Sequence, residues 1–447
     1  MRLELKVDPN RHRLLDKSMN AHEKLRIAVL IIIIAGLLCI ISVACSADSD
    51  LVNTDEISQA NRKSDGNTAL SGPYLHNDRF LNATRKQIAA GDPQLSADVV
   101  LLRKMADSLM TAGPWTVTSK SIVPPSGDKH DYLSQAPYWW PNPNTPDGRP
   151  YIQKDGEVNP ERDKLDSVPL GQMSSAVNTL SSAFLITRYE PYAERALLIL
   201  RTWFIDDQTR MNPNLNYAQG VPGIWEGTSW GIIDTHMLVA LFDSISMLHT
   251  SKAWTKADAD GLRNWASDYM QWLLTSRNGK AERGTRNNHG TWYDAQVSAL
   301  AIYCVNMSTA RQILLDCTRR IAKQIEPDGS QPEELVRTRP LHYSIYNLHA
   351  WFLLALMGDK LNIDIWRFQT ENGRSIHKAL DWMLPYLEGE KVLKELDAVP
   401  FNPDETAFLL RIAALKYGDR RYEDLLHKLK PAPDKESMCQ LDLLYPL

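Results

Sequence analysis

Apolar residues recur at three- and four-residue spacing from about residue 76 onward, and no comparable series of alternating strands appears. Asp92-Pro93 reads as an N-cap followed by a first-turn proline, leading into Leu95, Val99, Leu102, Ala106 and Leu109 on one face. Met173, Ala176, Val177, Leu180, Ala183 and Phe184 repeat the spacing, and Ala193 to Ile205 follows after Pro191. Thr255 with Asp258 makes a capping-box-like start before Leu262, Trp265, Ala266, Tyr269 and Leu273. Further helices are expected near 233–249, 292–306, 308–325, 340–357, 374–386, 403–417 and 421–429. The predicted fold class is all-α. Roughly a dozen helices over about 370 residues, in successive antiparallel hairpins, predict an incomplete or closed (α/α) toroid with a groove or tunnel at one end.

Two long loops are candidate walls for that groove. Ile122 to Pro160 holds eight prolines and the run Tyr138-Trp139-Trp140-Pro141, and Met211 to Gly231 is the second. Structured loops of this length inside a domain are more often functional than incidental.

Composition narrows the function classes. The 447 residues carry 50 Lys and Arg against 54 Asp and Glu, a net charge of −4, so no global basic field exists to hold nucleic acid. Five cysteines without a Cys-x-x-Cys pair exclude a disulfide framework and a zinc ribbon, and no metal-ligand spacing is present. The 13 Trp and 16 Tyr against 8 Phe suit either a sugar-lined groove or ordinary core packing.

Ile27 to Ala44 is an uncharged apolar run preceded by Lys24 and Arg26 and followed by Cys45. It reads as an export signal, and it resembles a bacterial lipoprotein signal with Cys45 as the lipidation site. Ser42 departs from the usual aliphatic residue, which leaves an uncleaved membrane anchor as the alternative, and Met19 is an alternative start. The expected layout is a leader over 1–45, a flexible linker over 46–75 and the toroid over 76–447. The body is then periplasmic, or tethered at the outer membrane or cell surface of a bacterium. The first 44 residues hold seven Lys and Arg and four Asp and Glu, so the remainder carries 43 against 50, a net −7. Cys304, Cys317 and Cys439 read as buried thiols.

Asn287-Asn288-His289-Gly290-Thr291-Trp292 precedes a helix in polar company, and Arg277, Lys280, Arg283 and Arg286 place four cations just before it. A lone His is usually structural and a charge run is usually a solvated loop; together they point to a site for an anionic ligand. Farther on, Pro340 opens a helix with Arg339 at its cap. Tyr343, Tyr346, Asn347 and Ala350 share one face, overlapped by His342 and His349, a poor core stripe and a reasonable catalytic wall. These groups suit β-elimination from a 4-linked uronic acid. Removing the C5 proton requires Asn, His and Arg donors to neutralise the neighbouring carboxylate. A Tyr acts as base only if cations favour its phenolate, a bias expected from Arg339 and His289. When proton and leaving group lie on opposite sides of the ring, His289 takes the base role with Tyr346 as acid.

The YWWP block with its following PDG (Tyr138 to Pro141, Pro146 to Gly148), the NNH-x-x-W block (Asn287 to Trp292) and R-x-L-x-Y-x-x-Y (Arg339, Leu341, Tyr343, Tyr346) resemble, in that order, alginate lyase-type polysaccharide lyases with an α/α toroid. The resemblance covers most of residues 120–360. It implies that Asn288, His289 and Arg339 neutralise the carboxylate, that Tyr346 is the acid/base with Tyr343 in reserve, and that no cofactor takes part. By the same analogy Tyr138, Trp139 and Trp140 border the sugar and Asn214, Asn216 and Glu226 contact hydroxyls, with Arg286 and Tyr343 also at the substrate. Turn formation next to Pro213 is the competing reading of the two asparagines. Gly290-Thr291 and Ser344-Ile345 depart from the pairs usual in the family and weaken any claim on substrate.

The expected partner is an acidic polysaccharide, alginate before glucuronan, with the membrane reached through the leader. Two other classes stay open: a glycoside hydrolase using Asp234 and Glu226, and a non-catalytic glycan-binding lipoprotein.

Overall fold

Local capping chemistry sets the helix starts. In a computed structural model describing residues 73–76, 78–393, 402–429 and 436–446, Asp92 caps a helix that begins at Pro93, its carboxylate accepting from Leu95 N. Thr255 and Asp258 form the expected capping box, and Pro340 occupies the first turn of a helix capped by Arg339. The apolar run 27–44, Cys45 and the linker as far as residue 72 lie outside the described residues. Met1–Asn67 and Thr68–Leu447 are separate units.

The described helices, in chain order, are α1 (Asp78–Ala89), α2 (Pro93–Leu109), α3 (Ser167–Thr187), α4 (Glu190–Phe204), α5 (Leu238–Met247), α6 (Lys256–Thr275), α7 (Arg277–Arg283), α8 (Asn288–Tyr303), α9 (Met307–Gln324), α10 (Pro332–Leu335), α11 (Pro340–Lys360), α12 (Ile376–Leu387), α13 (Asp404–Tyr417), α14 (Arg420–Leu429) and α15 (Glu436–Leu444). Packing between neighbours runs α2, α3, α5, α8, α11, α13, α15 and back to α2, a closed inner ring. An outer layer packs on it: α4 on α3, α6 and α9 on α8, α12 on α11, α14 on α13 and α1 on α2. The division follows from sequence. Nearly every side chain of α8 and most of those of α11 are buried, as expected of helices covered on both sides, whereas α9 and α14 bury one stripe. Ser229–Thr250 is long and apolar enough to cross a membrane, and it is largely buried within the ring. Cys317 and Cys439 are buried and Cys304 partly so.

Among the described residues, four short strands order the two long loops. β1 (Leu133–Gln135) pairs in parallel with β4 (Tyr217–Gly220), joining the loop before α3 to the loop before α5. β2 (Trp139–Trp140) pairs antiparallel with β3 (Ile152–Gln153). These strands were not expected, nor were the helices α1, α7, α10 and α15; the seven residues of α7 are too few and too polar to show an apolar period.

Candidate active site

The first turn of α8 presents the Asn288-His289 pair. Asn287 caps the helix, its side chain accepting from His289 N at 3.3 Å. Asn288 is buried, and both its backbone N and its Nδ2 donate to the carboxylate of Glu334, at 2.6 and 2.7 Å. Burial pushes the Glu334 carboxyl up to about 7 against the pull of these two bonds and of nearby His289 and Arg337. His289 Nδ1 lies 2.6 Å from Oε1 of Glu282, a carboxylate on α7 that is 1% exposed and whose Oε2 has no partner. The carboxylate holds the proton on Nδ1 and leaves Nε2 of this half-buried ring as the free nitrogen.

Gly290 follows because there is no room for a side chain. A Cβ there would lie 2.2 Å from Arg320 Nη1 and 2.5 Å from the Thr285 carbonyl. Arg320 pairs with buried Asp294 at 2.7 Å and donates to the carbonyls of Thr285 and Arg283. Thr291 donates to Gln324 at 2.9 Å. The departure from the usual family pair is thus a packing solution against α9.

The start of α11 supplies the opposite side. Its two tyrosines differ in what holds their hydroxyls. The Tyr343 oxygen accepts from Arg337 Nη2 at 2.9 Å and shares a 2.6 Å bond with the Tyr138 hydroxyl, while the Arg337 guanidinium also lies over the Tyr343 ring at 3.8 Å. The Tyr346 hydroxyl has no hydrogen-bond partner among the described residues. Its ring packs edge-on to His236 at 5.5 Å, against Trp292 at 5.0 Å and parallel to His342 at 6.3 Å. Trp292 belongs to the turn of α8 that carries His289, so the two helices bring these groups together.

Burial first, then the charges of Asp234, Tyr138, Tyr343 and Glu282, push the Tyr346 phenol well above its ordinary range. This runs against the expected phenolate bias from Arg339 and His289: burial dominates, and every one of these charges adds to it. Arg339 is half-buried at the helix cap, and its side chain has no partner among the described residues. His342 and His349 turn toward α13 instead, His342 to the Glu405 carboxylate at 2.8 Å and His349 to the Glu405 carbonyl at 2.6 Å. Burial brings His349 down to about 4.

His236, Glu282, Glu334 and Arg337 were not singled out from sequence. His236 Nδ1 donates to the Ile233 carbonyl at 2.8 Å and burial lowers its pKa, so it is a neutral imidazole with Nε2 as acceptor. Its only sequence signal is a polar Asp-Thr-His triplet ahead of an apolar helix. Arg337 also pairs with Asp155 at 2.7 Å, which fastens the hairpin of β2 and β3 to the start of α11. Gly156, at φ +81°, lets that hairpin approach: a Cβ there would lie 2.6 Å from Thr338 Oγ1.

The remaining predicted contacts divide. Trp139 meets Trp225 edge-on at 6.1 Å and Trp225 meets Trp230 at 5.5 Å, an aromatic row on which Trp225 is 47% exposed. Trp140, on the opposite strand face, donates to the Glu157 carbonyl at 2.9 Å and lies under Lys154. Asn214 donates to Asp131 of the other long loop and accepts from Asn216 N, and Asn216 accepts from Trp272 Nε1 of α6, so both amides are engaged in holding the loop in place. Glu226 and Arg286 are exposed. The Asp234 oxygens accept from Tyr132, Ser134 and Gln219. Cavities of about 530 and 250 Å³ lie elsewhere, neither lined by any of the predicted site residues.

A family model described as alginate lyase matches residues 116–393. A solved alginate lyase from Bacteroides ovatus superposes with a TM-score of 0.79 at 34% identity, over 84% of this chain and 100% of that one. Alginate lyase A1-III from Sphingomonas species A1 gives a TM-score of 0.51 at 16% identity over 79% and 92% of the two chains. A histidine-to-alanine variant of A1-III, complexed with tetrasaccharide, gives 0.56 at 14% over 85% and 97%. The last two show likeness of fold alone. No curated protein gives a significant match.

Proposed function

The chain is a member of the alginate lyase family and hence a polysaccharide lyase, and from that premise we propose that it cleaves 4-linked uronate polymers, alginate first among them, at Asn288, His289, Arg339 and Tyr346. The observation that carries this reading is the free hydroxyl of Tyr346 beside the turn that presents His289, while the neighbouring Tyr343 hydroxyl is held by Arg337 and Tyr138.

In this reading the Arg339 guanidinium, with the second Nδ2 hydrogen of Asn288, receives the substrate carboxylate and lowers the energy of the enolate-like intermediate. The raised pKa of Tyr346 keeps its phenol protonated at rest, ready to donate to the departing O4. On guluronate, whose C5 proton and O4 lie on opposite faces, His289 accepts the proton through Nε2 and Tyr346 donates. On mannuronate or glucuronate, with both groups on one face, Tyr346 must lose its proton before it acts as base. Delivery of the enzyme to the periplasm or cell surface by the run 27–44 and lipidation of Cys45 belong to the same proposal.

A substrate panel tests the reading. Purified protein is given alginate, polymannuronate, polyguluronate and glucuronan, and ultraviolet absorbance follows unsaturated uronate. The expected outcome is chromophore from at least one polymer, alginate giving the fastest rate. Its absence from all four overturns the proposal, and new reducing ends without chromophore would point to hydrolysis instead.

A further inference from the structure

We propose that the outward side of α7 is a second, non-catalytic binding track for the polyuronate, holding the chain beyond the sugars at the site of cleavage; this rests on the uronate lyase reading above. The short helix has two sides with opposite duties. Gly279 and Glu282 are buried, and Glu282 reaches His289. Arg277, Lys280 and Arg283 are exposed, and Arg286 follows with its side chain exposed as well. Arg277, Lys280 and Arg286 have no ion-pair partner among the described residues. Arg283 shares Asp316 with Arg319 of α9, and Lys323, one turn farther along α9, is exposed.

The track is fixed relative to the catalytic turn. Arg320 of α9 donates to the carbonyls of Arg283 and Thr285, so the segment leading from α7 to Asn287 is clamped on α9. The cations of both helices therefore border one stretch of surface, and the helix that carries it is joined to His289 through Glu282 on its buried side. A protein with a net charge of −4 repels a polyanion at long range unless its positive charge is concentrated locally. A 4-linked polyuronate carries one carboxylate per sugar. A row of exposed cations leading away from the site matches that repeat, and its benefit grows with chain length. Each exposed contact is weak and screened by salt, so the effect belongs to polymers and not to short oligomers.

The test is the Arg277→Glu/Lys280→Glu variant of the full chain, compared with wild type on long-chain alginate and on short oligouronates at low and high salt. The expected result is a KM for the polymer raised about 5- to 10-fold at low salt, an unchanged kcat, unchanged kinetics on short oligomers, and convergence of the two proteins at high salt. Equal KM values on the polymer, or equal losses on polymer and oligomer, would overturn the track while leaving the lyase reading intact. Wild-type protein that releases no unsaturated product from any polyuronate would overturn both. If charge reversal impairs folding, seen as a lowered Tm, the Arg277→Gln/Lys280→Gln pair replaces it, and the same length dependence is required at smaller amplitude.

Discussion

Tyr343 and Tyr346 stand one helical turn apart, chemically identical and differently employed. Tyr346→Phe deletes the one phenol left free for proton transfer, so kcat should fall by about 10²- to 10⁴-fold with binding of alginate retained. Tyr343→Phe deletes a hydroxyl engaged by Arg337 and Tyr138, so its cost should appear mainly in stability, about 1 kcal/mol. Steady-state rates beside equilibrium binding and melting curves separate the two. If Tyr343→Phe is the inactive variant, the assignment must be exchanged. Glu334 offers a test by pH. Its carboxyl titrates near 7 in the fold and near 4.5 in the unfolded chain, so the folded state holds the extra proton between those values. That contribution is complete below about pH 4.5 and is lost as pH rises through 7. Glu334→Gln cannot titrate and leaves one Asn288 donor facing an amide nitrogen. The wild type should therefore be the more stable at pH 5, and its advantage should shrink by a few kcal/mol by pH 8. Urea melts at the two pH values measure this, and a gap independent of pH would refute it.

At the scale of elements, the hairpin of β2 and β3 is held to the start of α11 by Asp155 and Arg337, and α3 and α11 are separated in the ring by α5 and α8. The loop that enters α3 therefore reaches past two ring positions to border the start of α11. Arg337→Ala should free that hairpin and raise KM about 10-fold while lowering stability by only about 1–2 kcal/mol, because it removes a partly exposed ion pair together with the bond to the Tyr343 hydroxyl. Kinetics on alginate beside a thermal melt will show whether the two parameters separate in this way. The legibility of elements in the chain follows the range of the forces that make them. Asp92-Pro93, Thr255 with Asp258, and Arg339-Pro340 are read directly because a cap acts over three or four residues. The order of Asn288, His289, Arg339 and Tyr346 is legible for the same reason, since each motif lies within one or two helical turns. Glu282 and Glu334 are not legible: their roles depend on which residue α7 or α10 brings to Asn288 and His289. His236 and Arg337 likewise take their meaning from partners on other elements. The short α7 is hidden by its own charge, because a helix whose outward side is cationic reads as a solvated loop.

On the scale of the whole molecule, closure of the ring depends on contacts distant in sequence. α15 packs on α2 and α13, and Cys439 and Met105 bring their sulfur atoms to 4.0 Å across 334 residues. Arg411 of α13 is buried at this junction, bonded to Glu423 at 3.0 Å, to Asp442 at 2.7 Å and to the Tyr445 carbonyl at 3.1 Å. Burial and the nearby Asp442 charge raise Asp98 on α2 to about 6. Arg411→Met would leave Glu423 and Asp442 without their cation and should cost about 3–5 kcal/mol. Because the junction completes the ring that holds α8 against α11, activity should begin to fall at a lower temperature along with the unfolding transition. Calorimetry and residual activity after heating measure the two together, and an unchanged melt would show that the junction does not limit stability. Closure of this kind also bears on biogenesis. α2 is made long before α15, so the ring cannot close until nearly the whole body of the chain is available, and the faces of α2 and α13 that α15 covers lack that partner until then.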